Sequence, residues 1–176
     1  MSRFIGSARQ NGYVVPDLDA AMEGWLAAGV GPWYVYPHIQ FDDFRHRGVA
    51  GELDVSLALA NSGSLQLELI AQHDDSPSLY NEFLGVCPQG GLQHLGYWVD
   101  DYAETRQRGL DAGWEVGHEG SIWGGEFCYF DTQHHLGTVL EIAAMNADRR
   151  AGFARIEQVC SEWNGIDKPV RTITTG

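Results

Sequence analysis

The sequence predicts an α+β fold: paired β-α-β-β-β modules forming a cupped mixed sheet, followed by a C-terminal helix. Three observations predict it. The chain repeats itself once: Gln10-Asn11-Gly12-Tyr13-Val14-Val15-Pro16-Asp17-Leu18 lies over His94-Leu95-Gly96-Tyr97-Trp98-Val99-Asp100-Asp101-Tyr102, an offset of 94 − 10 = 84 residues, with Gly, Tyr, Val and Asp coinciding. The register holds through to Leu26-Ala27-Ala28-Gly29 against Leu110-Asp111-Ala112-Gly113, and a repeat of this kind decides the architecture before any single element does. In each copy a short strand gives way to helical spacing, and behind the helix the pattern changes to period two. Finally, 176 residues with 44% hydrophobic content suffice for one good-sized core that two small modules can share.

Module one covers about residues 8–72. Its first strand ends before Asp17, an N-cap residue, and Leu18, Ala21, Met22, Trp25 and Leu26 then form one apolar helix face that stops at Gly29. Strands follow at Trp33–Tyr36, Glu52–Leu59 and Ser64–Ile70, with a hairpin turn at Asn61-Ser62-Gly63 between the last two. Residues 73–91, polar and carrying Pro77 and Pro88, form a linker with one short helix around Leu79–Leu84. Module two, about 92–145, repeats the order: a strand through His94, a helix capped by Asp101 and ended by Gly113, and strands at Trp114–Val116, Phe127–Phe130 and Thr138–Ala143. Residues 147–163 read as an amphipathic helix and the tail beyond Asn164 as an extended arm, so 1–176 forms a single domain.

Eleven basic against 24 acidic residues give a net charge of −13. Such a surface repels phosphate backbones and anionic lipid, so no nucleic-acid and no membrane partner is expected. No stretch approaches the ~20 apolar residues of a membrane helix, and Met1–Gly6 lacks the basic-then-apolar pattern of a secretory signal. Cys87, Cys128 and Cys160 are odd in number and widely spaced. They predict no disulfide framework and a cytoplasmic location, and Cys128, within a strand, reads as a buried small hydrophobe.

The repeat places four metal-ligand residue types in equivalent positions. Gln10 and His94 open the first strand of each module, and Glu68 and Glu141 sit in each last strand. Alternation puts Leu65, Leu67 and Leu69 on one face and Gln66 and Glu68 on the other. If the leucines pack under the helices, Glu68 points into the concave side. Gly12 and Gly96 share faces with Gln10 and His94 and are expected to leave room for a substrate. Two neutral ligands and two carboxylates make an open octahedral site for one Zn²⁺, Ni²⁺, Co²⁺, Mn²⁺ or Fe²⁺.

The Gly12-to-Ala21 string, Leu92-Gln93-His94-Leu95-Gly96-Tyr97-Trp98-Val99-Asp100-Asp101 and Gly137-Thr138-Val139-Leu140-Glu141-Ile142 resemble the vicinal oxygen chelate superfamily, which includes glyoxalase I, methylmalonyl-CoA epimerase, extradiol dioxygenases and drug-binding resistance proteins. The resemblance covers most of residues 8–145. It implies the glyoxalase-like fold and metal ligation by Gln10, Glu68, His94 and Glu141, a set similar to that of one glyoxalase I class. The strings around Gln10 and His94 look closer to the epimerase, whose usual first and second ligands are His and Gln; this chain departs at both. By the same resemblance Glu141 is nominated as catalytic base, with Glu68 opposite, and Glu52 stands near a carboxylate the epimerase also uses.

Three function classes remain: a metal-dependent isomerase, epimerase or lyase working by proton transfer beside a metal-bound carbonyl; a metal-free sequestration protein of the resistance type, which the aromatics Trp33, Tyr34, Tyr36, Phe41, Phe44, Trp98 and Trp123 would suit; and an extradiol-type dioxygenase, which needs two His and one carboxylate where this chain offers Gln10 and an extra Glu68. The first is favoured. Basic residues are few, and Arg149 falls with others in terminal segments, leaving Arg45 and Arg47 as the chief cations for an anion. A hydrophobic or aromatic carbonyl compound is therefore expected, in place of a coenzyme A thioester or a glutathione adduct. His134-His135, His73 and Asp74-Asp75 read as surface groups, and Ser121–Gly125 as a flexible hairpin loop. A homodimer is expected; exchange of modules would let Gln10 and Glu68 meet His94 and Glu141 of a second chain.

Overall fold

Asp17 and Asp101 start equivalent helices in the same way: each carboxylate accepts a 2.9 Å bond from the backbone N–H three residues on, at Ala20 and Glu104. In this computed structural model, which describes residues 5–173, the order is β1 (Ala8–Val14), α1 (Leu18–Ala27), β2 (Trp33–Tyr36), β3 (Asp43–His46), β4 (Val49–Ala50), β5 (Val55–Ser62), β6 (Leu65–Gln72), α2 (Leu79–Val86), β7 (Gly91–Val99), α3 (Tyr102–Asp111), β8 (Val116–Ile122), β9 (Gly125–Phe130), α4 (Gln133–Leu136), β10 (Val139–Ala144), α5 (Ala147–Glu162) and β11 (Val170–Thr172). The fold is α+β with one large mixed sheet, in the order β11-β2-β5-β6-β1-β7-β10-β9-β8-β3-β4. In each half the first strand runs parallel to the last, β1 beside β6 and β7 beside β10, and the halves join through antiparallel β1 and β7.

This sheet cannot be flat. Eight strand spacings separate β2 from β3, about 38 Å in a flat sheet, yet only residues 37–42 connect them, a span of at most ~25 Å. The two edges are therefore drawn together and the sheet curls into a cup. Outside it, α1 covers Leu67, Leu69, Ala58 and Ala60 through Met22, while Val99, Cys128, Phe130 and Ile142 lie with Tyr102 and Leu110 of α3. Inside are Val55, Leu57, Ile70, Phe127 and Tyr129, with Leu79 and Tyr80 of α2. Helix α5 also packs on the inner face, through Ile156 against Tyr34 and Leu59.

Several elements differ from the sequence reading. Strands β3 and β4 lie in a segment read as loop, because β3 contributes one buried apolar residue, Phe44, and takes its ladder from β8 of the other half. Strand β8 begins at Val116, since the Trp114 N–H closes the end of α3 on Gly109 O at 3.0 Å. It then runs through Gly117 and Gly120, whose missing side chains hide the alternation; a Cβ on Gly120 would lie 2.2 Å from Asp43 O. Ser121–Gly125 is an ordered hairpin, turning at Trp123 and Gly124, with φ of +53° and +66°. The C-terminal arm ends in β11, parallel to β2.

Candidate metal centre

The ladders set out the site as two rows across β6, β1, β7 and β10. One row reads Glu68, Gly12, His94; the next reads Gln10, Gly96, Glu141. In each, glycine lies between two side chains that converge over it. A Cβ on Gly12 would fall 1.8 Å from His94 Cε1, and one on Gly96 would fall 2.7 Å from Gln10 Oε1 and 3.0 Å from Glu141 Oε2. The glycines thus make space for the candidate ligands themselves, which corrects the expectation that they clear room for a substrate. Gly12→Ala is expected to displace the imidazole and to destabilise the protein by about 1–3 kcal/mol through overpacking, measured by denaturant unfolding.

One chain brings all four expected residues together. His94 Nε2 stands 3.4 Å from Glu68 Oε2 and 3.5 Å from Glu141 Oε2, too long for good hydrogen bonds. These three atoms are buried without a hydrogen-bond partner among the described residues. The three residues offer ligand atoms within 4.8 Å of one another. Gln10 donates its amide to Gln66 Oε1 at 2.9 Å, which leaves Gln10 Oε1 over Gly96 beside Glu141. The His94 Nδ1 atom lies 2.7 Å from Gln93 Oε1; Gln93 offers only an acceptor there, so Nδ1–H donates and Nε2 faces the carboxylates. Two buried carboxylates and an imidazole, convergent and too far apart for good hydrogen bonds to one another, fit a divalent cation, which would satisfy all three at once.

Electrostatics inside the site point the same way. Burial pulls the His94 pKa down, but Glu141 and Glu68 outweigh it and hold it at about 9. The Glu68 carboxyl is pushed up, first by burial and then against His94 by the charge of Glu141. Above the site is a cavity of about 60 Å³, lined by apolar side chains including Ile39, Phe41, Leu57, Ile122, Phe127 and Phe153. It has room for a few waters or a small ligand group.

Other expected residues lie elsewhere. Glu52 is exposed in the loop before β5. Arg45 is also exposed, and Arg47 is spent on Glu82 and Asp131, at 2.8 Å each. Neither arginine lines the cavity. Trp33 is buried in the outer core, whereas Phe41, Trp98 and Trp123 line the cavity. His134 and His135 are exposed on α4. His73 and His38 gather with Asp54 at the surface, outside the cavity lining, already bonded to Ser56 and Asp54.

Sequence reasoning missed Tyr80, Tyr129, His118 and Arg149. Tyr129 pairs across the ladder with Glu141 and packs edge-on to His94; the Tyr80 hydroxyl donates to it at 3.1 Å. His118 lies between the two tyrosine rings, and burial drives its pKa well down. The cross-strand position of Tyr129 opposite Glu141 was readable once β9 was placed; the other three depend on long-range packing.

A family model for the glyoxalase/bleomycin resistance protein/dioxygenase superfamily matches residues 9–129. The chain belongs to this superfamily. Superfamily membership accords with the paired modules and with methylmalonyl-CoA epimerases among its structural neighbours. The Mycobacterium tuberculosis methylmalonyl-CoA epimerase is similar at TM-score 0.58 and 18% identity, over 86% of this chain and 96% of that one. A hypothetical protein from Bacillus halodurans C-125 is similar at 0.56 and 14%, over 80% and 94%. A Streptomyces coelicolor methylmalonyl-CoA epimerase variant in complex with 2-nitronate-propionyl-CoA gives 0.52 and 16%, over 81% and 96%. At these identities the likeness concerns the shared superfamily fold. A comparison with curated protein sequences finds no match. Among the described residues no helix is long and apolar enough to cross a membrane.

Proposed function

We propose that this chain is a metal-dependent isomerase, epimerase or lyase that moves a proton next to the carbonyl of a small substrate with an apolar body. The observation that carries this reading is the convergence of three buried atoms that have no hydrogen-bond partner among the described residues, Glu68 Oε2, His94 Nε2 and Glu141 Oε2, under a largely apolar cavity. Gln10, Glu68, His94 and Glu141 would hold one divalent first-row ion. When bound, such an ion supplies Lewis acidity toward a substrate oxygen. The protein's part is proton handling. Glu141 takes the proton from the carbon beside the carbonyl, and Glu68, converging on the same point from the opposite strand, is placed to return one. The aromatic and aliphatic lining lowers the local dielectric, which strengthens the field of both carboxylates. The epimerases among the neighbours support this class of chemistry.

Metal-free sequestration would leave two buried carboxylates facing one histidine at 3.4 and 3.5 Å, and an extradiol site would need a second histidine where Gln10 stands. The test is elemental analysis of protein purified without added metal. About one first-row ion per chain is expected; no metal, and no uptake when it is offered, would overturn the reading.

Binding should depend on pH. With the His94 pKa at about 9, the imidazole is protonated at neutral pH, and a metal must displace that proton. Affinity is therefore expected to fall on acidification, by about tenfold per pH unit below 9 for one proton released, and to level off above it. Isothermal titration across this range reads the slope, and a flat profile would count against His94 as a ligand.

A further inference from the structure

Arg149 sits in the first turn of α5, 8% exposed, in the wall of the cavity that holds Glu68 and Glu141. It forms no ion pair with a carboxylate among the described residues. Among the described residues its guanidinium is held by main-chain carbonyls: Nη1 donates to Ala144 O at 2.8 Å, and Nη2 to Ile122 O at 2.8 Å and Gly125 O at 3.2 Å. Three of its five N–H donors are thus engaged.

The seat is built for this group. A Cβ on Gly125 would lie 2.7 Å from Arg149 Cζ, 2.8 Å from Nη1 and 2.9 Å from Nη2. Asn146 caps α5 through a 2.8 Å bond from the Arg149 N–H and reaches Trp123 O and Gly124 O, fixing the helix start on the β8–β9 turn. Buried charges are as a rule paired. Here the charges that act on Arg149 are those of Glu141 and Glu68, which the metal reading assigns to an ion. A cation in a ligand cavity, rigidly seated and lacking its own counter-ion, is a receptor for an anion.

We propose that Arg149 binds a carboxylate of the substrate, so that the compound acted on is a small oxo acid with an apolar remainder. This rests on the metal-site reading above. It also reverses the sequence-based argument from charge, which set Arg149 aside with the terminal segments: folding of α5 across the inner face brings it into the cup.

The test compares 2-oxobutyrate with its neutral, isosteric amide, by equilibrium binding to protein as purified and after zinc is offered, with metal content measured on every sample. Wild type is expected to prefer the acid, and Arg149→Gln to reduce that preference about tenfold or more, the worth of a charge-assisted hydrogen bond, with the acid affinity falling much further than the amide affinity. Gly125→Ala, which unseats the guanidinium without removing it, should lower the preference too, and Arg149→Lys should retain part of it. A purely structural Arg149 would shift the melting temperature and leave the acid-to-amide ratio alone; that result overturns the proposal, as does wild type binding neither probe at millimolar concentration or both equally. Absence of metal from wild type would overturn the metal reading separately, because the ratio between wild type and Arg149→Gln is still read on those samples.

Discussion

His94→Ala protein is expected to emerge from purification without metal and to take up none when it is offered, while keeping its secondary structure. The imidazole is the single nitrogen donor among the four candidate ligands, and without it two carboxylates remain whose charges repel. Loss of an outer-sphere partner of a ligand typically costs 10–100-fold in metal affinity; loss of the ligand itself should exceed that. The ladders of β7 with β1 and β10 use main-chain groups, so the sheet survives. Removing a fully buried ring leaves a cavity worth about 2–5 kcal/mol, visible as a lower unfolding midpoint with unchanged circular dichroism. Metal retained at one ion per chain would show that His94 is not a ligand.

Glu141→Gln should separate binding from chemistry. An amide oxygen can still face an ion, and Gln10 occupies the mirrored place across Gly96, so the lattice accommodates glutamine and metal should stay bound. What is lost is basicity. Exchange of the proton next to a substrate carbonyl, followed by deuterium incorporation from solvent, is expected to fall by about 10²–10⁴-fold. Exchange at a near wild-type rate would move the base to Glu68, and Glu68→Gln would then show the loss.

The repeat made much of this architecture readable. An offset of 84 residues, with aspartate caps and glycine stops in both copies, carries the sheet's symmetry, and that symmetry sets Gln10, Glu68, His94 and Glu141 in neighbouring rows. Pairing across strands was less visible. Alternation says which face a side chain takes, but register decides its neighbours, and only register shows that Gly12 lies beneath His94 and Gly96 between Gln10 and Glu141. The remainder is long-range. Strand β3 has too little pattern of its own to be seen without β8. Arg149 looked like a tail residue because nothing near it in sequence says that α5 turns back over the cup. Cys128 stood out locally in an alternating strand, and it is fully buried.

The short crossing at residues 37–42 has a consequence for how the molecule is made. A ribosome delivers β3 well before its ladder partner: β3 ends at 46 and β8 begins at 116, a lag of 116 − 46 = 70 residues. Throughout that interval the nascent chain carries a strand with an unpaired edge, the kind of surface that pairs with other chains. Domain-wise completion of the first half is therefore blocked by topology, and the half-made protein depends on the second half for closure. The same lacing means that a chain nicked in the linker after β6 would still hold together, each half carrying a strand that the other requires.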